Sequence, residues 1–507
     1  MVSSSGHHPA PLADKRNTAP DPGHSPRLRH LIIHLTLRLR QSGPYLGDSG
    51  HDHADNARKP GPFAVPPHTL ELVSATTALL TDHYELTMLQ AALARGTAGR
   101  RSVFEVFGRR LPGGRRYGVV GGTGRLLEAI EAFRFDDDAL AYLERTCVVD
   151  GRTLDWLAGY RFSGDVWGYG EGEAYFPNSP LLVVESSFAE AVLLETLALS
   201  VLNYDSAVAT AASRMTTAAG QRPCIEMGSR RAHEWAAVAA ARAAYIAGFA
   251  STSNLEAGRT HGVPTRGTSA HSFTLLHDSE RDAFTAQVDS LGKGTTLLVD
   301  TYDVAEAVRL GVEIAGTSLG AVRLDSGDLL SLAGEVRRQL DDLGATETRI
   351  VVTSDLDEHA IAALAAAPVD AYGVGTALVT GAGTPTAGLV YKLVAREDDD
   401  GDLVAVEKRS AGKVSHGGRK YALRRLGARG VAEAEVIGVE HAPADDSRGA
   451  TDRPLLMPLI RDGEVVGREP LSAARDRHRR AREELPPTAL QLSRGEPAIP
   501  TRWEERT

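Results

Sequence analysis

Two cysteines in 507 residues, Cys147 and Cys224, are too few and too far apart for a disulfide framework or a cysteine-based zinc site. Each reads as a small buried hydrophobe, and their scarcity fits a reducing, cytoplasmic setting. Long apolar runs are also missing. Leu31–Leu39 is short and broken by His34 and Arg38, so it reads neither as a membrane span, which needs about 20 apolar residues, nor as a signal peptide. There is no basic excess: 56 Lys and Arg face 66 Asp and Glu, a net charge of -10. That balance argues against nucleic acid or an anionic membrane as the main partner. A phosphorylated small molecule stays open, because it needs only a local cluster of cations and backbone N–H groups. The patterns GxxxxGK[ST], GxGxxG and HExxH are absent too. A P-loop kinase, a Rossmann dehydrogenase and a zincin are thereby disfavoured.

What is present is an ordinary globular balance, 42% hydrophobic and 24% charged, in a chain long enough for two domains plus tails. Residues 1–68 hold 10 of the 25 prolines and 8 of the 17 histidines. So little apolar surface cannot offset ordering entropy, so 1–75 is expected to be a disordered extension. From Thr76 the pattern predicts a helix over Leu79–Arg95, strands near Ser102–Phe107 and Leu181–Glu185, and a long Ala- and Leu-rich helix over Phe188–Ala219. The expected organisation is an N-terminal α/β domain with its connecting helix at 76–220 and a barrel at 221–394. A segment at 395–480 then returns to the first domain, and a polar tail follows at 481–507.

The barrel expectation rests on recurrence. Short apolar runs appear at Cys224–Gly228, Gly248–Ser251, Pro264–Ala270, Thr296–Asp300, Ala321–Asp325, Ile350–Ser354 and Ala371–Gly375, each followed by a polar or glycine-rich loop. Buried parallel strands read this way, and their alternation with helices implies βαβ units. In an α/β barrel the chemistry sits at the C-terminal ends of the strands. Those ends carry Arg230, Arg231, His271, Asp300, Arg323, Asp325, Asp328, Ser354, Gly373, Gly375 and Thr376. Taken singly, each is ordinary: Asp and Ser after a strand are cap and turn residues, and paired arginines form solvated faces. A barrel brings them to one rim. There, arginines and glycine N–H groups suit phosphate and carboxylate oxygens, and carboxylates suit Mg²⁺ and ribose hydroxyls.

The ordered set Leu80–Met88 (LTDHYELTM), Glu226–Arg231, Gly267–Phe273 (GTSAHSF), Val299–Asp303, Arg323–Leu329 (RLDSGDL), the GVGT loop, Tyr391–Leu393 and Gly412-Lys413 resembles nicotinate phosphoribosyltransferases. The resemblance implies a type II phosphoribosyltransferase fold, an irregular α/β barrel with a second α/β domain built from both ends of the chain. It implies nicotinate, phosphoribosyl pyrophosphate and ATP as substrates, Mg²⁺ as cofactor, and a homodimer with shared active sites in NAD salvage. Residue by residue, it implies that Tyr84 stacks on nicotinate in the partner's site. Arg230, Arg231 and Arg323 would meet the charged ligands, and Asp300, Asp325 and Asp328 the ribose hydroxyls or Mg²⁺. Ser354, Gly373, Gly375 and Thr376 would cradle the 5′-phosphate, and His271 would be phosphorylated from ATP. Many relatives have Phe where this chain has Met227, which puts a thioether against the pyridine's second face. Nicotinamide or quinolinate as acceptor, and a non-catalytic phosphate-binding barrel, remain alternatives. An aldolase is disfavoured because none of the strand ends carries a lysine.

Overall fold

The computed structural model describes residues 76–408, 415–444 and 452–504. The expected extension at 1–75 and the Gly412-Lys413 motif lie outside the described residues. All described residues belong to one unit, Glu71–Thr507.

Six of the seven apolar runs form parallel strands: Cys224–Glu226, Ser251–Thr252, Thr296–Leu298, Ala321–Leu324, Arg349–Val352 and Ala371–Val374. Their β-branched and aliphatic residues are buried because helices cover the sheet, which is why the runs are continuous rather than alternating. Neighbours in the sheet follow chain order, except that the last strand pairs with the first, Tyr372 opposite Cys224 and Val374 opposite Glu226. That circular order curls the sheet into a barrel. Hydrogen bonding stops between Ser251–Thr252 and Thr296–Leu298, so the barrel is irregular and open on one side.

The gap is where Pro264–Ala270 was expected to be a strand, and this expectation is corrected. The segment touches the sheet only through a bridge between Thr265 and Thr252. Pro264 has no N–H to donate, and the residues after it, Thr265 to Ala270, include no large apolar side chain to bury. Its carbonyl accepts from Thr252 N–H and Arg266 N–H returns to the Thr252 carbonyl; the chain then leaves the sheet.

The second domain is a seven-stranded sheet that draws on both ends of the described chain. Arg101–Gly108, Asp165–Tyr169 and Leu182–Ser187 pair with Leu389–Glu397, Leu403–Ala405, Leu456–Arg461 and Glu464–Val465. Phe104 stacks on Tyr391 at 5.0 Å across the central pair. The strand Leu389–Glu397 crosses the boundary expected at 394/395, because its pairing with Ser102–Gly108 continues to Ala395 and Arg396. The helix Glu195–Ala219 joins the two cores. Leu197, Ala198, Val201 and Leu202 pack into the sheet domain, while Val208, Ala211, Ala212 and Met215 pack into the barrel. The helix is buried along most of its length between the two cores, its buried Asp205 and Arg214 paired with Arg125 and Glu358, and its small residues let neighbours approach closely.

Residues 481–507 are not simply a polar tail. The helix Leu471–Glu484 enters this stretch, and Thr501–Glu504 pairs in parallel with Ala432–Val439 in a four-stranded sheet. The helix is tied to the barrel by Arg475. Its guanidinium donates to the carbonyls of Tyr245, Gly248 and Phe249, at 3.1 Å for Gly248 and 2.6 Å for Phe249. These carbonyls end the helix Glu234–Ile246 and the turn after it, where a cation is favoured. Arg475→Met is expected to cost about 1–3 kcal/mol, because carbonyls at a helix end lose their donor. Thermal unfolding checks this, and an unchanged melting temperature would show that water replaces the guanidinium.

Candidate active site

Strand ends and the loops after them enclose a cavity of about 480 Å³ on the C-terminal side of the barrel. Arg230, Arg231, Arg323, Asp325, Ser354, Gly373, Gly375 and Thr376 all line it, as the strand-end reading required. The sequence reading assigned no role to Ser253, Arg266, Thr353 or Asp355, which line it as well. Asp355 and Thr353 flank the expected Ser354. Ser253 and Arg266 come after a two-residue strand and a lone bridge, elements too short to leave a periodic signal.

Arg323 crosses the floor of the site. Its Nη1 donates to Thr268 Oγ1 at 2.6 Å and to the Ser269 carbonyl at 3.0 Å, holding the loop before His271 in place. Its Nε is buried with no protein acceptor. Burial pulls the guanidinium below its usual range while Asp325 and Asp300 oppose the shift; an arginine keeps its charge throughout. The Arg323 side chain itself lines the cavity, which brings its guanidinium within the site.

Asp300 organises the opposite side. Its Oδ1 lies 3.2 Å from His271 Nε2, and its Oδ2 accepts from Asp325 N–H at 2.9 Å and Ser326 Oγ at 2.8 Å. Asp300 and His271 therefore adjoin the cavity through Asp325 and Ala270 rather than lining it. Thr353 donates to Asp325 Oδ1, which fixes one carboxylate oxygen and leaves the other for the cavity. Ser354 has φ of 145°, a region L-residues avoid. Such a conformation costs on the order of 1–3 kcal/mol and persists only where surrounding structure holds it. Gly373 admits no side chain: a Cβ there would strike Thr353 and the Met227 sulfur. Met227 thus lies against the glycine loop and forms part of the cavity wall.

Two expected residues stand apart. Asp328 caps the helix Leu329–Asp342, accepting from Ser331 N–H and, at 2.8 Å, Ser331 Oγ. These hydrogen bonds hold its carboxyl below the ordinary range. Tyr84 does not line this cavity. It sits at 43% exposure on the helix His83–Arg95, beside exposed Leu79, Leu80 and Met88. Its helix is anchored by buried Glu85, which accepts from Thr196 N–H at 2.9 Å and Thr196 Oγ1 at 2.6 Å. Partial burial, with Glu195 nearby, pushes the Tyr84 hydroxyl up to about 12.

Against known proteins, residues 79–203 match the nicotinate phosphoribosyltransferase N-terminal domain. A nicotinate phosphoribosyltransferase of Mycobacterium tuberculosis is 58% identical over 432 residues, covering 84% of this chain and 94% of its own. The chain belongs to the nicotinate phosphoribosyltransferase family. The nicotinate phosphoribosyltransferase of Bacillus subtilis is 38% identical, over 68% of this chain and 73% of its own. The crystal structure of human nicotinic acid phosphoribosyltransferase superimposes with a TM-score of 0.73 at 27% identity, covering 84% of this chain and 97% of that one. The irregular barrel with a two-ended second domain is thus the fold of the nicotinate phosphoribosyltransferases. Among the described residues no helix is long and apolar enough to cross a membrane.

Proposed function

We propose that this chain joins nicotinate to the ribose 5-phosphate of phosphoribosyl pyrophosphate, releasing pyrophosphate, with ATP hydrolysis coupled through phosphorylated His271, as a step of NAD salvage. The observation that carries the reading is one open cavity lined by Arg230, Arg231, Arg266 and Arg323 beside the Gly373–Thr376 loop. Four guanidiniums suit a donor carrying a phosphate and a pyrophosphate together with a carboxylate acceptor.

The pyridine nitrogen attacks C1 of the ribose as the C1–O bond to pyrophosphate breaks, and positive charge builds on the ring. Little covalent chemistry is asked of the protein. The glycine loop and Ser354 seat the 5′-phosphate, Arg323 presents its guanidinium to the nicotinate carboxylate, and Met227 packs against the pyridine. Arg230, Arg231 and Arg266 take the charge growing on the leaving group. Asp325 and Asp355 face the same space and would hold Mg²⁺, which supplies further charge neutralisation to the pyrophosphate. No cage of three His, Cys, Asp or Glu side chains exists among the described residues. That fits an ion that uses one or two carboxylates and takes its other ligands from water and substrate phosphates.

For the ATP-linked step, Asp300 decides which nitrogen reacts. An ionised carboxylate only accepts, so His271 Nε2 carries the proton and Nδ1 keeps its lone pair. Nδ1 attacks the γ-phosphorus of ATP, ADP leaves, and water later removes the phosphoryl group. The unpaired cysteines support a reducing, cytoplasmic location for this activity.

Tyr84 and its exposed apolar neighbours support a homodimer in which the helix His83–Arg95 of one copy reaches the other's cavity. Mixing inactive Tyr84→Ala and Arg323→Ala chains should then restore activity to about a quarter of wild type, since half the dimers carry one intact site. No recovery after verified subunit exchange would show that each site is built from one chain.

The acceptor is tested by pyrophosphate release with nicotinate, nicotinamide and quinolinate in parallel. Release with nicotinate alone is expected. Release only with nicotinamide or quinolinate would overturn the assigned acceptor, and none with any would favour a non-catalytic barrel.

A further inference from the structure

Glu226 ends the first barrel strand with its side chain fully buried, and the mechanism above makes no use of it. Burial pushes its carboxyl up, opposed only by hydrogen bonds from Thr252 and Gly228. Both oxygens are therefore held by neutral donors. Oε1 accepts from Gly228 N–H and Oε2 from the Thr252 hydroxyl. Thr252 Oγ1 accepts from Asn254 N–H at 2.9 Å, which leaves its own hydrogen for Glu226. Asn254 Nδ2 reaches back to Ser229 Oγ at 3.0 Å. A closed polar ring thus ties the ends of the first two strands together: Glu226, Thr252, Asn254, Ser229 and Gly228.

The ring stands at the junction of the two ligand-gripping loops. Gly228 begins the turn that presents Arg230 and Arg231, with Arg231 N–H bonded to the Gly228 carbonyl at 2.8 Å. A Cβ on Gly228 would collide with Val379 and crowd Gly375 O and Glu226 Oε1, so this turn is pressed against the glycine loop. Met227 N–H donates to the Val374 carbonyl at 2.8 Å, locking the same contact from the other side. Burying a carboxylate without a cation is costly. A neutral side chain cannot replace it, because glutamine offers one accepting oxygen and turns an NH₂ group toward a second donor.

We infer that Glu226 is a positioning residue for the phosphoribosyl donor: its two accepting oxygens tie the Arg230–Arg231 turn to the Thr252–Asn254 segment, and so hold that turn in its place against the Gly373–Thr376 loop. This inference rests on the proposed function. It assigns Glu226 no contact with substrate, so its loss acts on donor binding rather than on bond breaking.

The test uses Glu226→Gln, isosteric Thr252→Val, and Thr252→Ser, which keeps the hydroxyl. Binding of phosphoribosyl pyrophosphate is measured by calorimetry with Mg²⁺ and no nicotinate, followed by steady-state kinetics. Glu226→Gln should weaken donor binding about tenfold to a hundredfold, the scale of a small misplacement of gripping groups. Its KM for the donor should rise in step, with kcat within about threefold of wild type. Thr252→Val should move the same way by less, and Thr252→Ser should bind as wild type does. Unchanged donor affinity in Glu226→Gln, a kcat loss at unchanged affinity, or Thr252→Ser as defective as Thr252→Val would overturn the inference. If Glu226→Gln does not fold, the Thr252 pair decides. A wild-type chain that does not bind phosphoribosyl pyrophosphate would overturn the proposed function, and this inference with it.

Discussion

Arg323→Ala is expected to lower kcat/KM for nicotinate about a thousandfold, the upper range for removing a preorganised donor from a water-poor site. Two losses combine. The guanidinium proposed to meet the ligand is lost, and so are the hydrogen bonds to Thr268 Oγ1 and the Ser269 carbonyl that hold the loop before His271. Arg323→Lys should recover little, because a single ammonium cannot reach the loop and the ligand together. Steady-state kinetics with nicotinate as the varied substrate measures both variants. A loss of less than about tenfold in Arg323→Ala would place the carboxylate elsewhere, with Arg266 the next donor to test.

The second large effect concerns His271. His271→Ala should abolish stimulation by ATP and all ATP hydrolysis while leaving slow transfer, because the cavity's arginines and glycine loop do not depend on the imidazole. Asp300→Asn should give a weaker form of the same defect. An asparagine can present its NH₂ to Nε2, which stabilises the wrong tautomer and protonates Nδ1. Coupled assays of ADP and pyrophosphate in the same reaction separate the two activities. ATP stimulation surviving in His271→Ala would remove His271 from the ATP-linked step.

These expectations depend on a rim that was largely legible in the sequence. Ala321–Leu324 and Ala371–Val374 are continuous apolar runs because both faces of the sheet are covered, and the residues just after each run reach the cavity. The two-ended second domain was not legible from periodicity and came from the resemblance. Pairing of Arg101–Gly108 with Leu389–Glu397 joins segments far apart in the chain, and local patterns carry no record of such contacts. Asp328 looked like a site carboxylate because it stands in RLDSGDL, yet a strand-to-helix loop also needs a cap, and the helix uses it. Thr501–Glu504 escaped notice because a strand of Thr, Arg, Trp and Glu has no apolar face of its own; its backbone pairing with Ala432–Val439 holds it in place. Glu226 was visible only as part of a motif. Its burial and its two neutral donors emerge once the first two strands lie side by side.

The most direct test of the account is ³¹P NMR of the purified chain with nicotinate, phosphoribosyl pyrophosphate and Mg²⁺, recorded without and then with ATP. The account predicts slow conversion of the donor to nicotinate mononucleotide and pyrophosphate, faster and more complete when ATP is added, with ADP and phosphate appearing alongside. Donor signals that stay unchanged under both conditions would contradict it.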